Sequence, residues 1–155
     1  MANKFKYLST KTFGNDRGLS CVFRQPNATH SHCSLLHGYS LGFKFTFGTN
    51  ELDHNNWCYD FGNTKWIKEK LENWFDHTWA VDYNDPQISE IISFVNSTNI
   101  ATLHLTNGVG CEKFAEQVFN YVDSIVSGQT NNRVKLVSVE CFEHGANSAI
   151  YNGEE

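Results

Sequence analysis

From Leu35 to Gly48 the chain alternates. Leu35, His37, Tyr39, Leu41, Phe43, Phe45 and Phe47 fall on one side, with Ser40, Lys44 and Thr46 on the other. Period two is the mark of a strand that buries one face. So heavy an apolar face demands a layer to pack against, which predicts a sheet with helices on one side. Its other side must then be polar or be covered by another subunit. His37 and Tyr39 sit next to each other on the apolar face. Just before them lies the densest chemistry of the chain, with His30, His32, Cys33 and His37 inside one ten-residue stretch ending at Tyr39. Imidazole and thiolate are the usual ligands of zinc, and also the usual general base and nucleophile. The spacing matches no zinc finger and leaves both readings open, beside that of loop histidines, a buried thiol and a core histidine.

The rest of the chain supplies the remaining layers. Residues 18–25 read as a strand that Pro26 and Asn27 end. Asn63 is placed to cap a helix in which Trp66, Ile67, Lys70, Leu71, Trp74 and Phe75 form a stripe at helical spacing. Residues 81–87 read as a loop and 88–95 as a short helix. Residues 100–105 read as a strand. Glu112 to Val126 is an amphipathic helix, and residues 133–143 and 149–151 are closing strands. The order predicts an α+β fold with a largely antiparallel sheet, in a single domain over residues 1–155.

Composition excludes several function classes. Twelve Lys and Arg against seventeen Asp and Glu leave a net charge of −5, which argues against binding nucleic acid or an anionic membrane. No apolar run reaches membrane-spanning length, and residues 1–7 hold no signal core, so the expected location is cytoplasmic. The five Cys stand singly, with no CxxC pair, and are expected as free thiols.

Three further groups carry chemistry in one reading and plain structure in the other. Asp76-His77 follows a helix, where a carboxylate can orient an imidazole for proton transfer or merely end the helix. Glu112 opens a helix after a glycine-rich turn, where it complements the helix dipole or lines a site. Glu143 ends a strand, from which a carboxylate can grip the N–H edge of a heterocycle with paired hydrogen bonds.

Taken in order, these pieces resemble the 6-pyruvoyltetrahydropterin synthase / 6-carboxytetrahydropterin synthase family. The matching stretches are Cys33-Ser-Leu-Leu-His37-Gly38, Tyr59-Asp60-Phe61-Gly62, Phe75-Asp76-His77, Gly110-Cys111-Glu112 and the run from Phe142 to Tyr151. The resemblance implies the tunnelling fold, a four-stranded antiparallel sheet carrying two helices on one face. Sheets of three subunits would close into a barrel, and two trimers would stack into a homohexamer with active sites between subunits. It implies a pterin substrate, 7,8-dihydroneopterin triphosphate. A lyase of the 6-carboxy-5,6,7,8-tetrahydropterin synthase type would cleave its side chain on the way to queuosine-type 7-deazaguanines. Pyruvoyl formation and aldolase-like cleavage are related alternatives, and a non-catalytic pterin-binding or structural protein is the alternative of another class. By resemblance Cys33 is the general base, Asp76 and His77 are a proton-relay pair, and Glu143 and Glu112 bind the pterin.

The resemblance also implies zinc, and there the chain departs. The family's His-Gly-His is His37-Gly38-Tyr39 here, and counting back along the first strand puts Gln25 where another zinc histidine is expected. Tyr and Gln are poor zinc ligands beside imidazole. The expectation is a rearranged site in which His30 and His32 join His37.

Overall fold

A computed structural model describes residues 4–154. Its strands are β1 (Tyr7–Phe13), β2 (Leu19–Phe23), β3 (His37–Thr49), β4 (Thr78–Asp82), β5 (Thr102–Thr106), β6 (Val134–His144) and β7 (Asn147–Tyr151). Its helices are α1 (Lys65–Phe75), α2 (Ile88–Thr98) and α3 (Cys111–Gln129). The alternating stretch is β3, and everything else is arranged about it.

One edge of β3 pairs antiparallel with β6, which pairs with β7. Its other edge carries β1 along the C-terminal half and β2 along the N-terminal half, both antiparallel. Residues 7–23 therefore act as one long strand folded outward at residues 14–18. Gly42 lies under that excursion: a Cβ there would sit 3.0 Å from Asn15 N and 3.1 Å from the Phe13 carbonyl oxygen. Asn15 ties the excursion down by donating from Nδ2 to the carbonyls of Ser40 (2.7 Å) and Phe142 (3.3 Å).

This antiparallel unit is the expected four-stranded sheet. It is extended by two strands that the sequence pattern did not reveal as parallel: β4 pairs parallel with β2, and β5 parallel with β4. β4 covers the first residues of the segment read as a loop, and β1 was not anticipated at all. The predicted short helix is α2, running from β4 to β5.

Leu41, Phe43, Phe45 and Phe47 are completely buried. They pack under α1 and α3 through ring contacts that continue from helix to helix. Phe43 meets Phe75 at 5.2 Å, Phe75 meets Phe114 at 5.0 Å, and Phe114 meets Phe23 at 5.2 Å edge-on. Offset and edge-on pairs of this kind add to the burial itself. The opposite face is polar, with Thr10 and Thr12 on β1, Ser20 on β2, Ser40, Lys44 and Thr46 on β3, and Ser138 and Glu140 on β6. Among the described residues no helix is long and apolar enough to cross a membrane.

Candidate functional site

The start of α3 and the end of β6 enclose one cleft. α3 is preceded by Gly110, whose φ of +105° is closed to most side chains, and a Cβ there would meet Gln25 Nε2 at 2.7 Å. The glycine lets the helix start close against Gln25, which donates from Nε2 to the Val109 carbonyl at 2.7 Å. Glu112 lies in the first turn of α3, where the helix dipole favours a carboxylate. Glu143 arrives from the other side. The β6–β7 register shifts between Phe142 and His144, so Glu143 occupies a bulge. A bulge re-aims a side chain out of the regular alternation. Glu112, Glu143, Cys111 and residues 146–149 line a cleft of about 480 Å³, within the range of small-molecule sites.

Tyr39 is not part of this lining but packs beside His144, the residue that follows Glu143. Burial raises its pKa above the ordinary 10, and the negative charges of Glu143, Cys33 and Cys111 raise it further. The Tyr39 ring lies 6.3 Å from that of His144.

Cys33 is exposed, in a single 3-10 turn over His32–Ser34. The turn is held from three directions. Ser31 Oγ accepts from Cys33 N at 3.0 Å, and Gln25 N donates to the Cys33 carbonyl at 2.7 Å. Arg24 donates to the Ser34 carbonyl at 3.3 Å while its guanidinium grips the buried Asp85 with two bonds of 2.9 and 2.7 Å. Sequence reasoning missed both Arg24 and Asp85. An arginine on a strand and an aspartate sixty-one residues later carry no local sign that they meet.

Asp76 and His77 form the expected pair elsewhere. Asp76 caps the end of α1, and its Oδ1 accepts from Ser20 N at 3.1 Å and lies 3.1 Å from His77 Nδ1. His77 holds a φ of +56°, uncommon for a residue with a side chain, and its ring is almost wholly exposed. Backbone strain of this kind gathers where a side chain must be presented in one direction. Asp76 lines a different cleft, of about 520 Å³, with Lys11, Asp16, Lys65 and Lys68 among others. Glu112 and Glu143 thus share one cleft, Gln25 ties the Cys33 turn to Val109 just before the helix that carries Glu112, and Asp76 lines another cleft.

The expected metal ligands do not gather. His30 and His32 are exposed on the loop before β3. Among the described residues no group of three His, Cys, Asp or Glu side chains is placed to hold a metal ion. Gln25 lies beyond the end of β2 with its amide bonded to Val109, so the placement of Gln25 on the zinc face is corrected. The β2 residue paired with His37 is Phe23. Its ring centroid lies 5.0 Å from His37 and 5.8 Å from Tyr39, which are 5.3 Å apart. Phenyl, phenol and one imidazole do not make the three-ligand set that zinc requires.

Comparison with known proteins agrees with this architecture. The structure superposes on an uncharacterized protein from Wolinella succinogenes with a TM-score of 0.77 at 18% identity, covering 96% of this chain and 98% of that one. It superposes on 6-pyruvoyl tetrahydropterin synthase from Caenorhabditis elegans with a TM-score of 0.62 at 18% identity, covering 96% of each chain. For the Plasmodium vivax enzyme the TM-score is 0.63 at 11% identity, covering 94% of this chain and 98% of that one. At these identities the likeness is one of fold. No curated protein matches the chain. The sequence model of one family matches residues 15–154, almost the whole length, and the chain accordingly belongs to the 6-pyruvoyl tetrahydropterin synthase family.

Proposed function

We propose that the chain is a lyase acting on 7,8-dihydroneopterin triphosphate, of the 6-carboxytetrahydropterin synthase type that serves 7-deazaguanine synthesis. The observation that carries this reading is the pair of carboxylates, Glu143 on its bulge and Glu112 at the helix start, lining one cleft, with Gln25 bridging from Val109 before that helix to the Cys33 turn. A pterin presents a ring N–H and an exocyclic amine along one edge. A single carboxylate accepts both in a paired arrangement, as it does from a guanidinium. Glu143 takes that edge, Glu112 lies beside it, and the pterin's side chain extends toward Tyr39 and Cys33. Cys33 then acts as the base that removes a side-chain proton.

The Asp76–His77 pair completes the relay from a neighbouring subunit. His77 is exposed, Asp76 lines a separate cleft, and in this reading a second copy presents the pair to Cys33. This fits a homohexamer of two stacked trimers with sites between subunits. Zinc has no step in this reading, because the donor set does not fit it.

Incubation with 7,8-dihydroneopterin triphosphate and mass spectrometry of the products tests the proposal. The expected products are 6-carboxytetrahydropterin, acetaldehyde and triphosphate, and Cys33→Ala is expected to lower turnover by roughly 10²–10⁴-fold, the usual worth of a positioned base. A pyruvoyl or aldehyde product would move the chain to a related pterin chemistry. One specific observation favours a non-catalytic pterin binder, the loss of metal donors at Phe23 and Tyr39. Binding of the pterin without any turnover would support that second reading.

A further inference from the structure

Three rings meet at the N-terminal end of β3, and only one of them carries a free lone pair suited to a metal. His37 Nδ1 lies 2.7 Å from the Leu35 carbonyl, so it carries the proton and donates it there, leaving Nε2 bare. Phe23 is 2% exposed and fills the place directly across β2 from His37 with a hydrocarbon ring. Tyr39 is packed edge-on against His37 at 5.3 Å, and on another side its ring lies 6.3 Å from that of His144, which follows the cleft-lining Glu143. A phenol at neutral pH is an O–H donor.

We propose that this corner is a metal-free recognition element, in which the Tyr39 hydroxyl donates a hydrogen bond to a side-chain oxygen of a pterin anchored by Glu143. The inference rests on the pterin reading of the Glu112–Glu143 cleft and deepens it by naming the group that reads the substituent. Phe23 and His37 are positioning residues. They wall the phenol on one side, and His144, next to Glu143, flanks it on another. A donor that the bound ligand covers discriminates between ligands that carry an oxygen and those that do not, since the latter leave the hydroxyl unpaired.

Two measurements on the full chain, purified without a histidine tag, test it. In the first, the protein is dialysed against zinc and then against buffer. The expected zinc content is far below one per chain, with the thermal midpoint unmoved by zinc or by chelator. Stoichiometric zinc, or a midpoint raised by it, overturns the proposal whatever the substrate proves to be. In the second, binding of 7,8-dihydroneopterin is compared with that of 6-methyl-7,8-dihydropterin, which lacks the side-chain hydroxyls. The wild type is expected to prefer dihydroneopterin by roughly five- to tenfold, the worth of one hydrogen bond. Tyr39→Phe is expected to erase that preference. A preference that survives Tyr39→Phe, or a wild type that does not discriminate, overturns it. A wild type that binds neither pterin sinks the pterin reading and this hydrogen bond with it, while the zinc result still reports on the corner itself.

Discussion

At the scale of single residues, the group that most constrains Cys33 is one that does no chemistry. Arg24 links Asp85 to the Ser34 carbonyl, and the Asp85 side chain is only 2% exposed. Breaking a buried pair strands the surviving charge, so Asp85→Ala should cost about 3–5 kcal/mol in urea unfolding. The pair also sets an acid limit. Arg24's hydrogen bonds hold the Asp85 carboxyl below its usual pKa despite burial. A carboxylate depressed in the folded state stabilises fully above its unfolded pKa, about 3.9, and loses that contribution as pH falls through the folded value. The Asp85→Ala penalty should therefore be constant from pH 7 to about 5 and shrink steadily below about 4. Cys33, Glu112 and Glu143 were singled out in sequence by their place in an ordered set of family motifs, each of which is weak alone. Gln25 was misplaced because the end of β2 was counted along the sequence. It is set by the pairing of Phe23 with His37, which only the folded sheet fixes.

At the scale of elements, β3 was the most readable part of the chain because its period-two pattern is long and is matched by complete burial. Phe45 is central to it and fully buried, so Phe45→Ala should cost about 3–5 kcal/mol, measured as a shift in denaturation midpoint. β1 escaped notice because its helix-facing positions include Ser9 and Lys11, so no apolar alternation marks it. β4 escaped because five residues are too few for periodicity to separate strand from loop. The packing of β5 on α1 gives a titratable signature. His104 stacks on Trp74 at 5.3 Å and meets Phe75 edge-on at 5.5 Å. Burial lowers its pKa below the ordinary 6.5, outweighing its contact with Gln117. A histidine depressed in the folded state contributes stability that is present above its unfolded pKa and lost as pH falls through the folded value. Unfolding free energy should therefore decline as pH drops below about 6.5, and His104→Gln should flatten that decline.

At the scale of the whole molecule, the polar sheet face and the divided site point the same way. In the antiparallel unit α1 and α3 cover one face, and the other carries Thr, Ser, Lys and Glu side chains with exposed Leu8 and Ile150 among them. The sequence foresaw that a face would be left over, since only two strongly amphipathic helices follow β3. It carried no local sign that the Asp76–His77 pair would turn away from Cys33, because that depends on where α1 ends relative to β2. If each working site joins Cys33 of one subunit to Asp76 and His77 of the next, two inactive variants should complement each other. Cys33→Ala and Asp76→Ala, coexpressed so that they assemble together, would give sites of four kinds at random, and about a quarter would draw both halves from wild-type segments. Coexpression is expected to restore about that fraction of turnover, whereas each variant alone stays inactive. A site contained within one chain would give no recovery at any mixing ratio, since every chain would then carry one defective half.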